Sequence, residues 1–224
     1  MIFMTHRWDG ITRSESLSAW AVKARHELAD RARAYDWDAV FAVLAEPRNA
    51  DWMNAARLDG TSWYAPLHQA ANAGAPVEVV RRLVELGAWR ALRTADGERP
   101  LDIAVRLSHE HLREVLTPPR LIDVPDHELR AVQEHFHGLI RARVGNLVDE
   151  HRLRLPELEV LLERPRDGAH FSVPGMYGGF TFTLTVEDDR AKLTTESWMR
   201  VVGGSGQRHE ITAKEVILVE EGFV

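Results

Sequence analysis

Residues 65–74 read APLHQAANAG, and residues 77–88 continue as VEVVRRLVELGA. Pro66 suits the first position of a helix, because the N–H that proline lacks would have no partner there. Gly74 is a typical helix end, and the valines and leucines of the second stretch recur at helical spacing. The two stretches therefore predict a pair of short helices, each with one apolar face.

The same pattern recurs on both sides of this helix pair. Residues 96–104 read DGERPLDIA, with Pro100 in the place of Pro66, and a more divergent copy lies around residues 28–44. A single unit of this kind cannot bury its own apolar face, so neighbouring units are expected to stack. The order of Pro-Leu-His, Ala-Ala, Gly and Gly-Ala resembles an ankyrin repeat. Residues 17–116 are accordingly interpreted as an array of about three helix pairs.

The resemblance implies a binding surface for another protein, since ankyrin arrays usually act in that way. Two features depart from the family pattern. The threonine that usually precedes the proline is Ala65 in one unit and Arg99 in the next, and the histidine kept at His68 is replaced by Asp102. His68 is interpreted as a structural residue at a helix start and not as a catalytic group.

A different pattern begins after Pro118 and Pro119. Residues 126–152 carry apolar side chains along one side of a long helix, with Asp126 as its expected N-cap. After Pro156 the period changes to two residues, which indicates strands. Strands are expected at residues 180–186, 193–202, 208–212 and 217–219.

The predicted fold is α+β: a short ankyrin-type helical repeat array, followed by a helix and an antiparallel β-meander. The two domains are expected at residues 1–120 and 121–224. Residues 158–162 fit either a helix or a strand, and a strand is favoured. Residues 173–224 resemble the tails of uncharacterised bacterial proteins, and this resemblance implies no activity.

Composition excludes several classes of protein. The 224 residues include no cysteine, which excludes disulfides and thiolate chemistry and suits a reducing cytoplasm. The net charge is −6, with the acidic excess after residue 120, so neither half has the basic surface of a nucleic-acid-binding protein. No apolar run has the length of a membrane span. Arginine far outnumbers lysine, which is typical of proteins from GC-rich bacterial genomes. Together these observations lead us to expect a cytoplasmic bacterial protein that contacts neither nucleic acid nor membrane.

Four residues are candidates for contacts with a partner protein: Trp63, Tyr64, Trp89 and Arg90. Trp63 and Tyr64 lie in the region that forms an exposed hairpin tip in the ankyrin family, where large aromatic side chains are good interface anchors. Trp89 and Arg90 follow Gly-Ala, where the family usually has an aspartate. The alternative is that these side chains fold back and cover the end of the array.

A second group of candidates lies in the C-terminal half. Glu196, Trp198 and Arg200 alternate along one predicted strand, so they share a face, and Tyr177 and His209 are expected nearby. An acid, an aromatic ring and a guanidinium group side by side are typical of a ligand pocket. The alternative is a salt bridge between Glu196 and Arg200 beside a packed tryptophan.

No metal and no cofactor are expected. His135 and His137 stand two residues apart on a helix, so they point to nearly opposite faces and cannot bind one ion. Residues 203–206 are interpreted as a flexible hairpin turn, since neither a Lys-Ser/Thr pair nor a helix follows these glycines as in a phosphate-binding loop. No pattern identifies a nucleophile or a general base.

These observations favour a non-enzymatic protein–protein interaction module. One specific form of this hypothesis is an immunity or inhibitor protein that caps a toxin or an enzyme. The alternative is an enzyme or small-molecule binding protein whose pocket lies in the C-terminal α+β domain. An interaction module predicts an exposed aromatic surface on the helical array. An enzyme or small-molecule binding protein predicts a cleft over the face that carries Glu196.

Overall fold

The computed structural model describes residues 6–164, 167–187, 190–199 and 205–222. The fold is α+β, and the chain divides into two compact units. The helical unit comprises residues 12–118. The sheet unit comprises the described residues from Pro119 onward, together with those up to Ile11.

The helices of the helical unit form three successive pairs. The pairs are α1 (Ala19–Arg33) with α2 (Trp37–Ala45), α3 (Pro66–Ala73) with α4 (Val77–Glu85), and α5 (Pro100–Arg106) with α6 (Arg113–Leu116). Short 3-10 helices lie at Ser14–Ser16, Pro47–Asn54 and Glu110–Leu112. Helix α3 contacts both α1 and α5, so the first helices of the three pairs pack side by side.

The helix starts and ends follow from local sequence. Pro66 and Pro100 each occupy the first turn of a helix, as expected. Gly74 closes α3 with a φ of 59°, a backbone conformation that strains residues with a side chain. Asp36 caps α2, because its side-chain oxygen accepts a hydrogen bond from the N–H of Ala39 at 3.3 Å.

The core of the helical unit consists of small and branched apolar side chains. Ala70 and Ala71 of α3 are fully buried, and their small size lets neighbouring helices approach closely. Val80 and Leu83 of α4 lie in the same core, as their helical spacing indicates. The larger core side chains are Leu28, Val40, Phe41, Leu44, Met53, Leu67, Ile103, Leu112 and Leu116.

The described residues of the sheet unit form one six-stranded sheet, in the order β1 to β6. The strands are β1 (His6–Trp8), β2 (Ala169–Val173), β3 (Gly178–Glu187), β4 (Arg190–Met199), β5 (Ser205–Ile211) and β6 (Val216–Glu221). Strand β1 runs parallel to β2, and the other neighbouring pairs are antiparallel. The sheet is therefore mixed. Strands β3 to β6 correspond to the four strands expected from the alternation. Residues 200–204, expected to end one strand and to form a turn, lie outside the described residues, and Ser205 and Gly206, also expected in that turn, belong to β5.

Helix α7 (Asp126–Glu150) packs on one face of this sheet. Phe136 lies at the centre of the contact, with its ring centroid 5.0 Å from that of Phe182 and 6.3 Å from that of Phe180. The buried residues of α7 recur at helical spacing, as expected for one apolar side. They are Leu129, Val132, Phe136, Ile140, Val144 and Val148.

Two local predictions are wrong. The segment Leu158–Glu163 is a 3-10 helix and not a strand, and its first N–H donates to the side-chain oxygen of Gln133 at 2.8 Å. Five of its six residues are buried, all except Glu159, and the four consecutive buried residues 160–163 lack the alternation that distinguishes a strand from a helix. Asp126 is the first residue of α7 and not its N-cap, because its carboxylate accepts a hydrogen bond from Arg120 at 2.9 Å instead.

The segment up to Ile11 belongs to the sheet unit. The sequence pattern predicted instead that residues 1–120 form one helical domain. Strand β1 pairs with β2, and the indole N–H of Trp8 donates to the carbonyl of Arg154 at 2.9 Å. The N–H of Arg154 donates in turn to the carbonyl of Gly10 at 2.9 Å. A strand of three residues is too short to show alternation, so the sequence carries no signal for it.

Candidate functional site

The helical unit carries a groove of about 490 Å³. The groove is formed by the C-terminal part of α1, the loop that precedes α3, and α3 itself. Its lining residues are Ala29, Arg33, Tyr35, Arg57, Ser62, Tyr64, Gln69, Asn72 and Asp96. Aromatic and polar side chains predominate, which gives the groove both contact area and hydrogen-bonding groups for a partner.

Two tyrosines supply the aromatic part of the groove. Tyr35 stands in the turn between α1 and α2 and is 46% exposed. Its ring stacks on Trp37 with centroids 6.3 Å apart, and its hydroxyl accepts a hydrogen bond from Asn72 at 3.2 Å. Tyr64 is half-buried beside His68, with ring centroids 5.7 Å apart. Because packing already orders both rings, a partner that binds here loses little side-chain entropy.

Charges of both signs border the groove. Arg57 forms an ion pair with Asp30 of α1. Arg33 and Asp96 are exposed on the lining of the groove. Arginine beside tyrosine is a combination that is enriched at the energetic centres of protein interfaces. Because positive and negative side chains both border the groove, a protein segment that carries charges of both signs fits it better than a strongly charged ligand.

The four residues that were predicted to contact a partner lie in different environments. Tyr64 lines the groove, whereas Trp63 and Arg90 are half-buried and do not line it. Trp89 is only 4% exposed, and its backbone N–H donates to the side-chain oxygen of Asn54 at 2.8 Å. Trp89 is therefore a core residue, and its prediction as a partner contact is wrong. Its large apolar ring is better accommodated in the core than at the surface.

The residues predicted to share a pocket in the sheet unit do not form one site. Glu196 accepts a hydrogen bond from Arg208 of β5 at 2.8 Å, and Arg200 lies outside the described residues. Trp198 stacks on His170 with ring centroids 5.2 Å apart. Tyr177 is 74% exposed in the turn before β3. The outer face of the sheet thus carries an ion pair between Glu196 and Arg208 beside a stacked ring pair, and the expected pairing of Glu196 with Arg200 lies outside the described residues.

The stack of His170 and Trp198 depends on a glycine. The two rings belong to β2 and β4 and meet across β3, where Gly179 lies opposite Trp198. A Cβ atom at Gly179 would lie 2.8 Å from the ring of His170, so any side chain here would displace that ring. His170 Nε2 also lies 2.9 Å from the hydroxyl of Ser172. These contacts give the two rings a structural role.

His209 lies on the face of the sheet opposite to Glu196. Residues directly opposite each other in antiparallel strands share a face, and His209 pairs with Thr195. Thr195 in turn pairs with Phe182, which contacts Phe136 of α7. The prediction that His209 stands beside Glu196 is therefore wrong, because the register of β5 turns its ring towards α7.

His68 has the structural role that its position at a helix start indicated. Its ring is fully buried, and Nδ1 accepts a hydrogen bond from the N–H of Ala65 at 3.1 Å. Nδ1 therefore carries no proton, and Nε2 donates to the carbonyl of Leu92 at 3.0 Å. Asp102 repeats the first contact, because its carboxylate accepts from the N–H of Arg99 at 2.9 Å.

The described residues contain no group of three or more histidine, cysteine, aspartate or glutamate side chains that could hold a metal ion. His135 and His137 of α7 bind backbone groups at separate places. His135 donates from Nδ1 to the carbonyl of Thr212 at 2.8 Å, and His137 donates from Nε2 to the carbonyl of Pro156 at 2.8 Å. Both rings therefore hold α7 to the rest of the sheet unit.

The buried histidines predict a loss of stability in mild acid. Burial lowers the pKa of His137 despite its bond to the carbonyl of Pro156, and burial together with the charge of Arg143 lowers that of His209. Unfolded histidine titrates near about 6.5. As the pH falls below this value the unfolded chain binds protons that the folded rings do not yet bind, so the free energy of unfolding decreases. Melting temperatures measured from about pH 7.5 to about pH 5.5 should fall.

A substitution at His137 separates its contribution from that of other groups. His137→Gln keeps a donor for the carbonyl of Pro156 but cannot titrate, so its melting temperature should depend less on pH than that of the unmodified chain. His127→Gln, on the exposed surface of α7, is the matched control and should leave the slope unchanged. Equal slopes for all three proteins would contradict the assignment.

No protein-family model matches the chain, and no curated protein matches it. In the part of the chain that the structure describes, no helix combines the length and the apolarity needed to cross a membrane.

Proposed function

We propose that this chain is a non-enzymatic protein–protein interaction module that binds its partner in the groove of the helical unit. The observation that supports this most is the pair of pre-ordered rings of Tyr35 and Tyr64 beside exposed Arg33. Aromatic rings and arginine dominate binding energy at protein interfaces because they combine large contact area with hydrogen bonds.

We propose further that the helical unit is an ankyrin-type array. Three successive helix pairs, with α3 packed between α1 and α5, are consistent with this family. His68 and Asp102 occupy equivalent positions two residues after a proline, and both accept a hydrogen bond from the N–H that precedes that proline. The groove follows the first helices of the pairs, a surface that repeat proteins commonly use for binding.

The partner that suits the groove is an ordered loop or an extended segment of another protein, with polar and charged side chains of both signs. Such a partner would pair with Arg33 and Asp96 and cover the tyrosine rings. A cytoplasmic immunity or inhibitor protein that caps a toxin or an enzyme is one specific form of this proposal. The small-molecule alternative has less support, since Arg208 already engages Glu196 and His170 already covers Trp198.

Site-specific photocrosslinking in the host cell tests the proposal. A photoreactive amino acid replaces Ser62, which is exposed in the groove, and in a second protein it replaces Glu78, which is exposed on α4. We expect a discrete protein adduct from position 62 and none from position 78. Adducts of equal yield from both positions, or none from position 62, would contradict the proposed function.

Truncation of the groove aromatic should weaken the complex with the protein captured at position 62. Tyr64→Ala is expected to cost about 2 kcal/mol, or roughly thirtyfold in affinity, because it removes contact area at the centre of the groove. Calorimetric titration measures this loss. Trp63→Ala, at a half-buried ring that does not line the groove, is the matched control and should change affinity little. A larger effect at Trp63 than at Tyr64 would place the interface elsewhere.

A further inference from the structure

Where α7 packs on the sheet, three polar atoms are buried without a hydrogen-bond partner in the described structure: Arg143 Nε, Ser197 Oγ and His209 Nδ1. Ser197 is 1% exposed and His209 is 7% exposed. Buried polar groups are normally paired, because an unpaired group loses its bonds to water and gains none in return. These three atoms are therefore available to bind a further hydrogen-bonding group.

The strand register places Ser197 and His209 close together on one face. Ser197 lies opposite Phe180 of β3, and His209 lies opposite Thr195, which is two residues before Ser197 on β4. Phe180 contacts Phe136, so this is the face that α7 covers. The two side chains are consequently diagonal neighbours on adjacent strands, both directed towards the helix.

Arg143 of α7 is held over the same end of the sheet. Its Nη2 donates to the backbone carbonyl of Ser205 at 2.8 Å and to the hydroxyl of Ser205 at 2.9 Å. Ser205 is in β5, four residues before His209, and the charge of Arg143 acts on the His209 ring. The residue after Arg143, Val144, has a non-helical φ of −145°, so α7 is irregular where it carries this arginine.

All three unpaired atoms are able to donate a hydrogen bond. The Nε–H of arginine and the hydroxyl of serine are donors, and Nδ1 of a neutral histidine is a donor in one of its two tautomers. Three donors around one positive charge match the oxygens of a small anion. We propose that Arg143, Ser197 and His209 bind a small oxyanion, a carboxylate or a phosphate group, at this end of the sheet.

One acidic side chain lies near the proposed site. Glu221 of β6 accepts a hydrogen bond from Gln207 at 2.7 Å, and its charge acts on both Arg143 and His209. Its negative charge opposes the binding of an anion. Removal of this charge should therefore increase the affinity for the anion. Removal of a donor should decrease it.

The proposal goes beyond the proposed function, because it concerns a different unit and a ligand of different chemistry. Its test is a titration of the ¹⁵N-labelled full chain with inorganic phosphate, and separately with acetate, at constant pH and ionic strength. The imidazole nitrogens of His209 report directly on a partner at Nδ1. We expect a saturable change in the His209 resonances, and the ligand that saturates at lower concentration identifies the preferred oxyanion.

Variants identify the donors. Ser197→Ala and Arg143→Lys should weaken binding at least about tenfold, because each removes a hydrogen bond to a charged group. Glu221→Gln should tighten binding. Ser172→Ala removes a hydroxyl from the outer face of the same sheet and is the matched control, with affinity unchanged.

Two results would overturn the proposal. One is the absence of a saturable change at His209 with either anion, since water alone would then complete the site. The other is a saturable change in the His209 resonances whose affinity is the same in Ser197→Ala as in the unmodified chain. The anion would then bind elsewhere. If Arg143→Lys fails to fold, Ser197→Ala together with Glu221→Gln decides the question.

Discussion

Replacement of Phe136 by alanine is expected to lower the free energy of unfolding of the sheet unit by about 3–5 kcal/mol. The ring is completely buried and contacts both Phe180 and Phe182, so its removal leaves a cavity between α7 and the sheet. The cost combines the lost transfer of the ring out of water with the lost packing of its neighbours.

Chemical denaturation followed by circular dichroism measures this change, and hydrogen exchange of the β3 and β4 amides assigns it to the sheet unit. Leu139→Ala is the matched control, because Leu139 lies on the same helix but is only half-buried. It should cost less than half as much as Phe136→Ala. Equal effects would contradict the assignment of Phe136 to the centre of this core.

His68→Ala is expected to cost about 2–6 kcal/mol, because it leaves two buried backbone groups without partners. The N–H of Ala65 loses its acceptor, and the carbonyl of Leu92 loses its donor. Each unpaired buried group costs about 1–3 kcal/mol, and the cavity left by the ring adds to this.

Asp102→Ala is the natural comparison for His68→Ala. Asp102 binds the N–H and the guanidinium group of Arg99 and is partly exposed, so its removal should cost about 1 kcal/mol, the typical value for a helix cap. Urea denaturation of both variants measures the difference. If Asp102→Ala were the more destabilising of the two, the role of His68 as a link between α3 and Leu92 would be wrong.

The parts of the fold that depend on local chemistry are predictable from the sequence. Pro66, Gly74 and the spacing of Val80 and Leu83 specify a helix start, a helix end and a buried face without reference to the rest of the chain. Strand β3 is equally local, since its buried phenylalanines alternate with threonines. Strand β1 is not, because three residues are too few to show a period. The segment Leu158–Glu163 is not either, because its buried residues alternate only as far as Val160 and then run on without a break.

The candidate sites depend on contacts that sequence spacing does not encode. Tyr35 joins Tyr64 in the groove because α1 and α3 pack side by side, although the two residues are far apart in the chain. Glu196 binds Arg208 of the neighbouring strand, while the sequence suggested Arg200 on its own strand. His209 turns away from Glu196 because a register of β5 that differs by one residue reverses the face of every side chain.

Hydrogen–deuterium exchange of the full chain, alone and with the protein captured at position 62, tests the central claim most directly. The claim is that the groove of the helical unit binds the partner. Binding should slow the exchange of amides in the segments 29–35, 57–64 and 69–72, which contain most of the lining residues of the groove, and should leave α4 unchanged. Protection confined to β4, β5 and β6, with exchange at the groove unaltered, would contradict the claim and place the interface on the sheet unit.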